Sequence, residues 1–145
     1  MLVKSGETIA TVPRDSVRVG FTRAELRLEG LKPPVDSFEA RFFAGEPNAN
    51  AQTPTYGNPH YLGTQFFYGL GVPDENPVPQ RLYSIDRASQ SERTEVRLNV
   101  TPGLRNYLQS CADPAFPVTV VAVDRDGTEI PNPDLDVEGI SIEAV

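Results

Sequence analysis

One histidine, one cysteine, one methionine and no tryptophan are the first things this 145-residue chain shows. A single histidine, His60, cannot assemble a Ser-His-Asp triad, a Cys-His pair of the usual kind or a multi-histidine metal site within the chain. A single cysteine, Cys111, rules out an internal disulfide and leaves the redox compartment open. Basic residues are also scarce, 13 against 20 acidic, giving a net charge of −7. That balance speaks against nucleic acid or an anionic membrane as a partner. No apolar run approaches the ~18 residues of a membrane-spanning helix. Lys4 is followed by no apolar signal region, so a soluble chain, cytoplasmic by default, is expected.

What the chain has in quantity is punctuation: fourteen prolines and eleven glycines, between short apolar runs. That pattern suits an all-β domain with many turns. The length suits one domain over 1–145, able to bury roughly 68–70% of its unfolded surface. Residues 1–14 are expected to form a loosely attached segment with an edge strand at Ile9–Val12, ended by Pro13. Ser16 to Leu28 alternates through Val17, Val19, Phe21, Ala24, Leu26 and Leu28, with charge on the outward positions, and predicts a half-buried strand. Phe38–Ala44 alternates again. Gly45–Pro59 is a long loop without apolar periodicity, with Tyr56 its one large side chain near the tip.

The longest apolar-aromatic run, His60 to Gly71, predicts the central strand. Strict alternation places Leu62, Thr64, Phe66 and Tyr68 on one face and Tyr61, Gly63, Gln65 and Phe67 on the other. Val72–Gln80 reads as a Pro-rich loop, Arg81–Asp86 as a short strand, and Arg87–Arg93 as an exposed turn. Thr94–Val100 alternates through Val96, Leu98 and Val100. Thr101-Pro-Gly-Leu-Arg-Asn-Tyr-Leu is the one convincing helix, with Thr101 as N-cap, Pro102 at its first position and Leu104, Tyr107 and Leu108 on one face. Pro117–Asp124 and Gly139–Val145 complete seven to eight strands, with Asp126-Gly127 as a hairpin turn. The fold expected is an antiparallel β-sandwich, jelly-roll-like, with one short helix.

The chemistry-bearing residues have plain readings. His60, beside Pro59, reads as a loop residue, and Cys111 as a small buried hydrophobe. Asp124-Arg-Asp-Gly-Thr-Glu129 carries its glycine two residues too early for an EF-hand, and a hairpin turn accounts for it. Asn99-Val-Thr101 fits a glycosylation pattern, but a strand end and a helix start explain both residues. No catalytic constellation and no metal site emerges.

Three segments in order carry a resemblance: Tyr61-Leu-Gly-Thr-Gln-Phe-Phe-Tyr-Gly-Leu70, then Val96-Arg-Leu-Asn-Val-Thr-Pro-Gly-Leu-Arg-Asn-Tyr-Leu108, then Asp136-Val-Glu-Gly-Ile-Ser-Ile142. Together they resemble the C-terminal β-sandwich domain of the tyrosinase and polyphenol oxidase family of type-3 copper proteins. The same order is similar to the β-sandwich of molluscan haemocyanin units. The match covers most of Phe38 to Val145 and is loose over residues 1–35.

The resemblance implies a non-catalytic accessory domain that docks on a tyrosinase-like catalytic domain and shields its active site or stabilises it, with copper held only by histidine triads of that catalytic domain. That domain would be joined to this one or bound as a separate chain. It also implies a side chain that enters the mouth of the copper pocket and shields it. By position along the matching strand the candidates are Phe66, Phe67 and Tyr68, with Tyr56 as a loop alternative. Phe67 leads, because it lies off the Leu62–Phe66–Tyr68 face assigned to the core, and Tyr56 follows. The alternative is a free-standing binding module for carbohydrate or protein, using aromatics such as Tyr56, Tyr61 and Tyr83.

Overall fold

Alternating apolar residues in four segments build two facing sheets. The computed structural model describes residues 1–69 and 93–145. Among these, nine strands run in chain order: β1 Leu2–Val3, β2 Glu7–Pro13, β3 Ala24–Leu31, β4 Phe38–Ala44, β5 Tyr61–Phe67, β6 Thr94–Asn99, β7 Ala115–Val123, β8 Leu135–Asp136 and β9 Gly139–Ala144. One α-helix, α1, spans Thr101–Ser110. The strands form a four-stranded sheet in the order β2-β7-β4-β5, a three-stranded sheet β6-β3-β9 and a small β1-β8 pair. All pairings are antiparallel, so the expected all-β sandwich is the fold.

The core lies between the two larger sheets. Ala24, Leu26 and Leu28 of β3 face Ala40 and Phe42 of β4 and Phe116, Val118, Val120 and Ala122 of β7, all of them essentially fully buried. The outward face of β3 carries charge instead. Arg27 pairs there with Glu95 at 2.5 Å, Glu143 at 3.3 Å and Glu29 at 3.6 Å. Its guanidinium holds the Glu95 carboxyl below the usual range, chiefly through their hydrogen bond. The outer face of the four-stranded sheet is mixed, with an Arg41–Glu39 ion pair beside an apolar patch. Phe43, Val121 and Val123 are buried there beneath Ala49 of the following loop.

Several expectations change. Residues 1–14 are tied in rather than loose: β2 is the edge strand paired with β7, β1 pairs with β8, and Val3 and Val12 are buried. The strand predicted from Ser16 begins only at Ala24. A 3-10 turn at Arg14–Ser16 comes first, and Gly20 takes a left-handed φ of +72°. Val17 and Phe21 are buried from a loop while Val19 is 98% exposed. A loop that dips twice into the core reproduces the period of a strand without its ladder.

Thr101 opens α1 but does not cap it. Asn99 Oδ1 accepts the Thr101 N–H at 3.0 Å, and Thr101 Oγ1 turns to the β3 backbone, accepting from Ala24 N–H at 2.9 Å. The helix is thereby fastened across the end of the three-stranded sheet. Leu104 and Tyr107 are buried as the periodicity predicts, Cys111 is half-buried against the core, and Arg14 donates to the carbonyls of Leu108 and Cys111 at 2.8 and 2.7 Å. A cation at that position also complements the helix C-terminus. The strand expected at Arg81–Asp86, the loop expected at Val72–Gln80, residues 87–92 of the expected turn and Tyr83 lie outside the described residues.

Candidate functional site: the aromatic edge and the loop tip

Register decides which aromatics of β5 face solvent. Phe42 pairs with Gly63 but Phe43 pairs with Tyr61, leaving Leu62 as an extra residue in a β-bulge. A bulge inverts the parity of everything beyond it. Tyr61 lies on the outer face, its ring 5.7 Å from that of Phe43. Leu62 and Gly63 both turn inward: Leu62 is buried, and a Cβ on Gly63 would meet Leu98 and Val100. Thr64 and Phe66 then face outward, and Phe67 inward opposite Phe38.

The face assignment made from strict alternation is therefore corrected. Phe67 is 6% exposed and belongs to the core, whereas Phe66 is 59% and Tyr68 82% exposed. Gly63, an isolated glycine inside a strand pattern, was the available signal for the bulge. Just past the strand, the Gly69 N–H donates to Ser37 Oγ at 2.7 Å, which fixes the backbone that presents Tyr68. A groove of about 380 Å³ lies beside these rings, bordered by Ser37, Glu39, Phe66, Tyr68 and Arg125.

The long loop does not hang free. Its first half folds over the outer face of the four-stranded sheet, where Ala51 N–H donates to Glu129 Oε1 at 2.9 Å and Arg41 donates to Ala51 O at 3.3 Å. Its second half forms a tight tip. Asn58 Nδ2 donates to Pro54 O at 2.8 Å, and Asn58 Oδ1 accepts from His60 N–H at 3.0 Å. Tyr56 sits inside that bracket and is 97% exposed. A large ring held in water on a fastened turn has no packing role in this fold.

His60 follows the tip. Its Nδ1 lies 2.8 Å from Ala44 O, its Nε2 lies 3.8 Å from Glu46, and its ring packs near Tyr107. One imidazole so placed does not fit a two-copper centre, which needs several. The Asp124–Thr128 turn uses its acidic side chain internally: Asp124 Oδ1 accepts from the N–H groups of Asp126 and Thr128, both at 2.9 Å. No helix among the described residues is long and apolar enough to cross a membrane.

Comparison with known proteins adds the wider context. No family model and no curated sequence matches the chain. Solved structures do. A latent aurone synthase (polyphenol oxidase) from natural source superposes with a TM-score of 0.58 at 16% identity, over 100% of this chain and 26% of that one. The recombinantly expressed latent enzyme gives 0.55 at 16% identity with the same coverage. A crystal of it with hexatungstotellurate(VI) gives 0.54 at 17%, over 100% and 25%. The chain has the fold of part of these polyphenol oxidases and spans about a quarter of their length.

Proposed function

We propose that this β-sandwich is a non-catalytic accessory domain that docks on a tyrosinase-like di-copper oxidase domain and covers its active site. The observation that carries the reading is the coverage. The whole chain superposes on a quarter of an oxidase named as latent, and its one histidine leaves the copper chemistry to the remaining three quarters of such a protein. Correspondence to the C-terminal domain of that family agrees with the three sequence segments from Tyr61 to Ile142.

With Phe67 in the core, the shielding role passes to Tyr56 first and to Tyr68 and Phe66 next. Tyr56 combines near-complete exposure with a tip held by Asn58. A rigid anchor loses little conformational freedom on docking and so keeps more of its contact energy. Tyr68 and Phe66 add apolar surface beside the edge of the four-stranded sheet, where a protein partner rather than water is the natural cover.

The test joins or mixes this chain with a tyrosinase-like domain and follows oxidation of a bulky phenol. Tyr56→Ala should raise activity several-fold with the melting temperature unchanged, and Tyr68→Ala and Phe66→Ala should raise it less. Unchanged activity in all three, with binding intact, overturns the shielding role. Absence of any complex overturns the docking itself.

A second reading has its own support. A groove of about 650 Å³ between the loop tip and α1 is bordered by the neutral side chains of Asn58, Tyr61, Asn99, Asn106 and Gln109. Amides beside an aromatic ring suit a carbohydrate, so a free-standing binding module would place its ligand there.

A further inference from the structure

Five of the nine described arginines, Arg23, Arg27, Arg41, Arg93 and Arg97, have a carboxylate partner. Three of the remaining four, Arg14, Arg18 and Arg105, border one cleft of about 480 Å³ between the Arg14–Phe21 segment and α1. That volume lies within the ~300–1,000 Å³ of small-molecule sites. Among the described residues, Asp15 is the one carboxylate on its border and makes no ion pair. In a chain of net charge −7, this is a local surplus of positive charge.

Two of the guanidiniums are fixed by backbone carbonyls. Arg14 is held by Leu108 O and Cys111 O, and Arg105 donates to Phe21 O at 3.0 Å and Thr22 O at 3.4 Å. The Arg105 guanidinium also lies 5.4 Å over the Phe21 ring. Carbonyl oxygens orient a guanidinium without neutralising its charge, and each group has five N–H donors, so some stay uncommitted. The C-terminal end of α1 partly balances Arg14, whereas Arg18 and Arg105 have no such anion among the described residues. Arg18 makes no side-chain hydrogen bond among the described residues. Val17, Phe21 and Leu108 supply apolar surface to the same cleft.

We propose that this cleft binds a small organic carboxylate. Its apolar body rests on Val17, Phe21 and Leu108, and its carboxylate meets Arg18 and Arg105 through the charge-assisted hydrogen bonds that guanidinium geometry favours. The site stands independently of docking on an oxidase.

The experiment is an amide-resolved NMR titration of the labelled chain with three probes: benzoate, benzyl alcohol with a similar body and no charge, and acetate with the charge and almost no body. Benzoate should give saturable shifts centred on Val17–Phe21 and Leu108–Gln109. Benzyl alcohol should give none that saturate, and acetate should bind at least about tenfold more weakly. Arg18→Gln, which removes no hydrogen bond or ion pair among the described residues, should weaken benzoate by roughly tenfold or more with the melting temperature unchanged. Arg105→Gln should act in the same direction. Absence of saturable benzoate shifts overturns the site, and so does benzoate binding that Arg18→Gln leaves unaltered or that benzyl alcohol matches.

Discussion

Phe67 stacks on Phe38 across the β4–β5 ladder, ring centroids 5.1 Å apart and planes at 28°. Its neighbour Phe66, one residue earlier, points to the opposite side and into water. Two adjacent phenylalanines therefore carry opposite expectations. Phe67→Ala should lose roughly 3–5 kcal/mol through lost burial and a residual cavity. Phe66→Ala should stay within about 0.5 kcal/mol. Urea unfolding of both variants checks the bulge directly, because uninterrupted alternation would exchange the two results.

Gly103 marks where α1 meets β5. A Cβ at that position would lie 2.5 Å from Leu62 O and 2.8 Å from Leu62 Cα, both of them backbone atoms that cannot swing aside. Gly103→Ala gains helix propensity but must push the helix off the bulge. A net loss of about 1–3 kcal/mol is expected, the usual cost of overpacking. A variant as stable as the parent in chemical denaturation would contradict this packing.

Arg14 joins the start of the domain to the far end of α1. Arg14→Ala leaves the carbonyls of Leu108 and Cys111 without their charged donor, and a loss of about 1–2 kcal/mol is expected. Hydrogen exchange should quicken first in the last turn of α1, around Leu108 to Cys111. Uniform change across the domain would count against a local capping role.

Tyr107 is fully buried, and its hydroxyl donates to Asp113 at 3.3 Å. Burial, reinforced by the Asp113 charge, pushes its phenol up to about 12 from 10. A raised folded-state pKa means that the unfolded chain gives up its proton first, so stability is fully present below pH 10 and falls between about 10 and 12. The slope should approach ~1.4 kcal/mol per pH unit from this group alone. Tyr107→Phe should remove that component from a pair of denaturation curves at pH 9.5 and 11.5.

Much was legible from residue order. The alternation in Ala24–Leu28 and Phe38–Ala44, the Val-rich run before Asp124 and the i, i+3 pairing of Leu104 with Tyr107 each report which residues must leave water. That requirement acts locally, so a sequence expresses it. The turn at Asp126-Gly127 and the edge position of β2, ended by Pro13, are equally local. The candidate site was legible in part: the Tyr61–Tyr68 stretch and Tyr56 were identifiable as unusual aromatics, but which of them faced out was not.

By itself the sequence determined the all-β class and the helix at Thr101–Ser110. Tertiary structure alone decided the direction of each aromatic. Leu62 is an extra residue because α1 packs through Gly103 onto its backbone and because Phe43 must pair with Tyr61 over a second, outer apolar cluster. Val17 and Phe21 show the same division, since a loop and a strand can bury the same residues and only the partner strand tells them apart. Periodicity reports burial for one segment at a time. Register, bulges and the approach of a helix are set by the neighbour, and the neighbour lies far away in the chain.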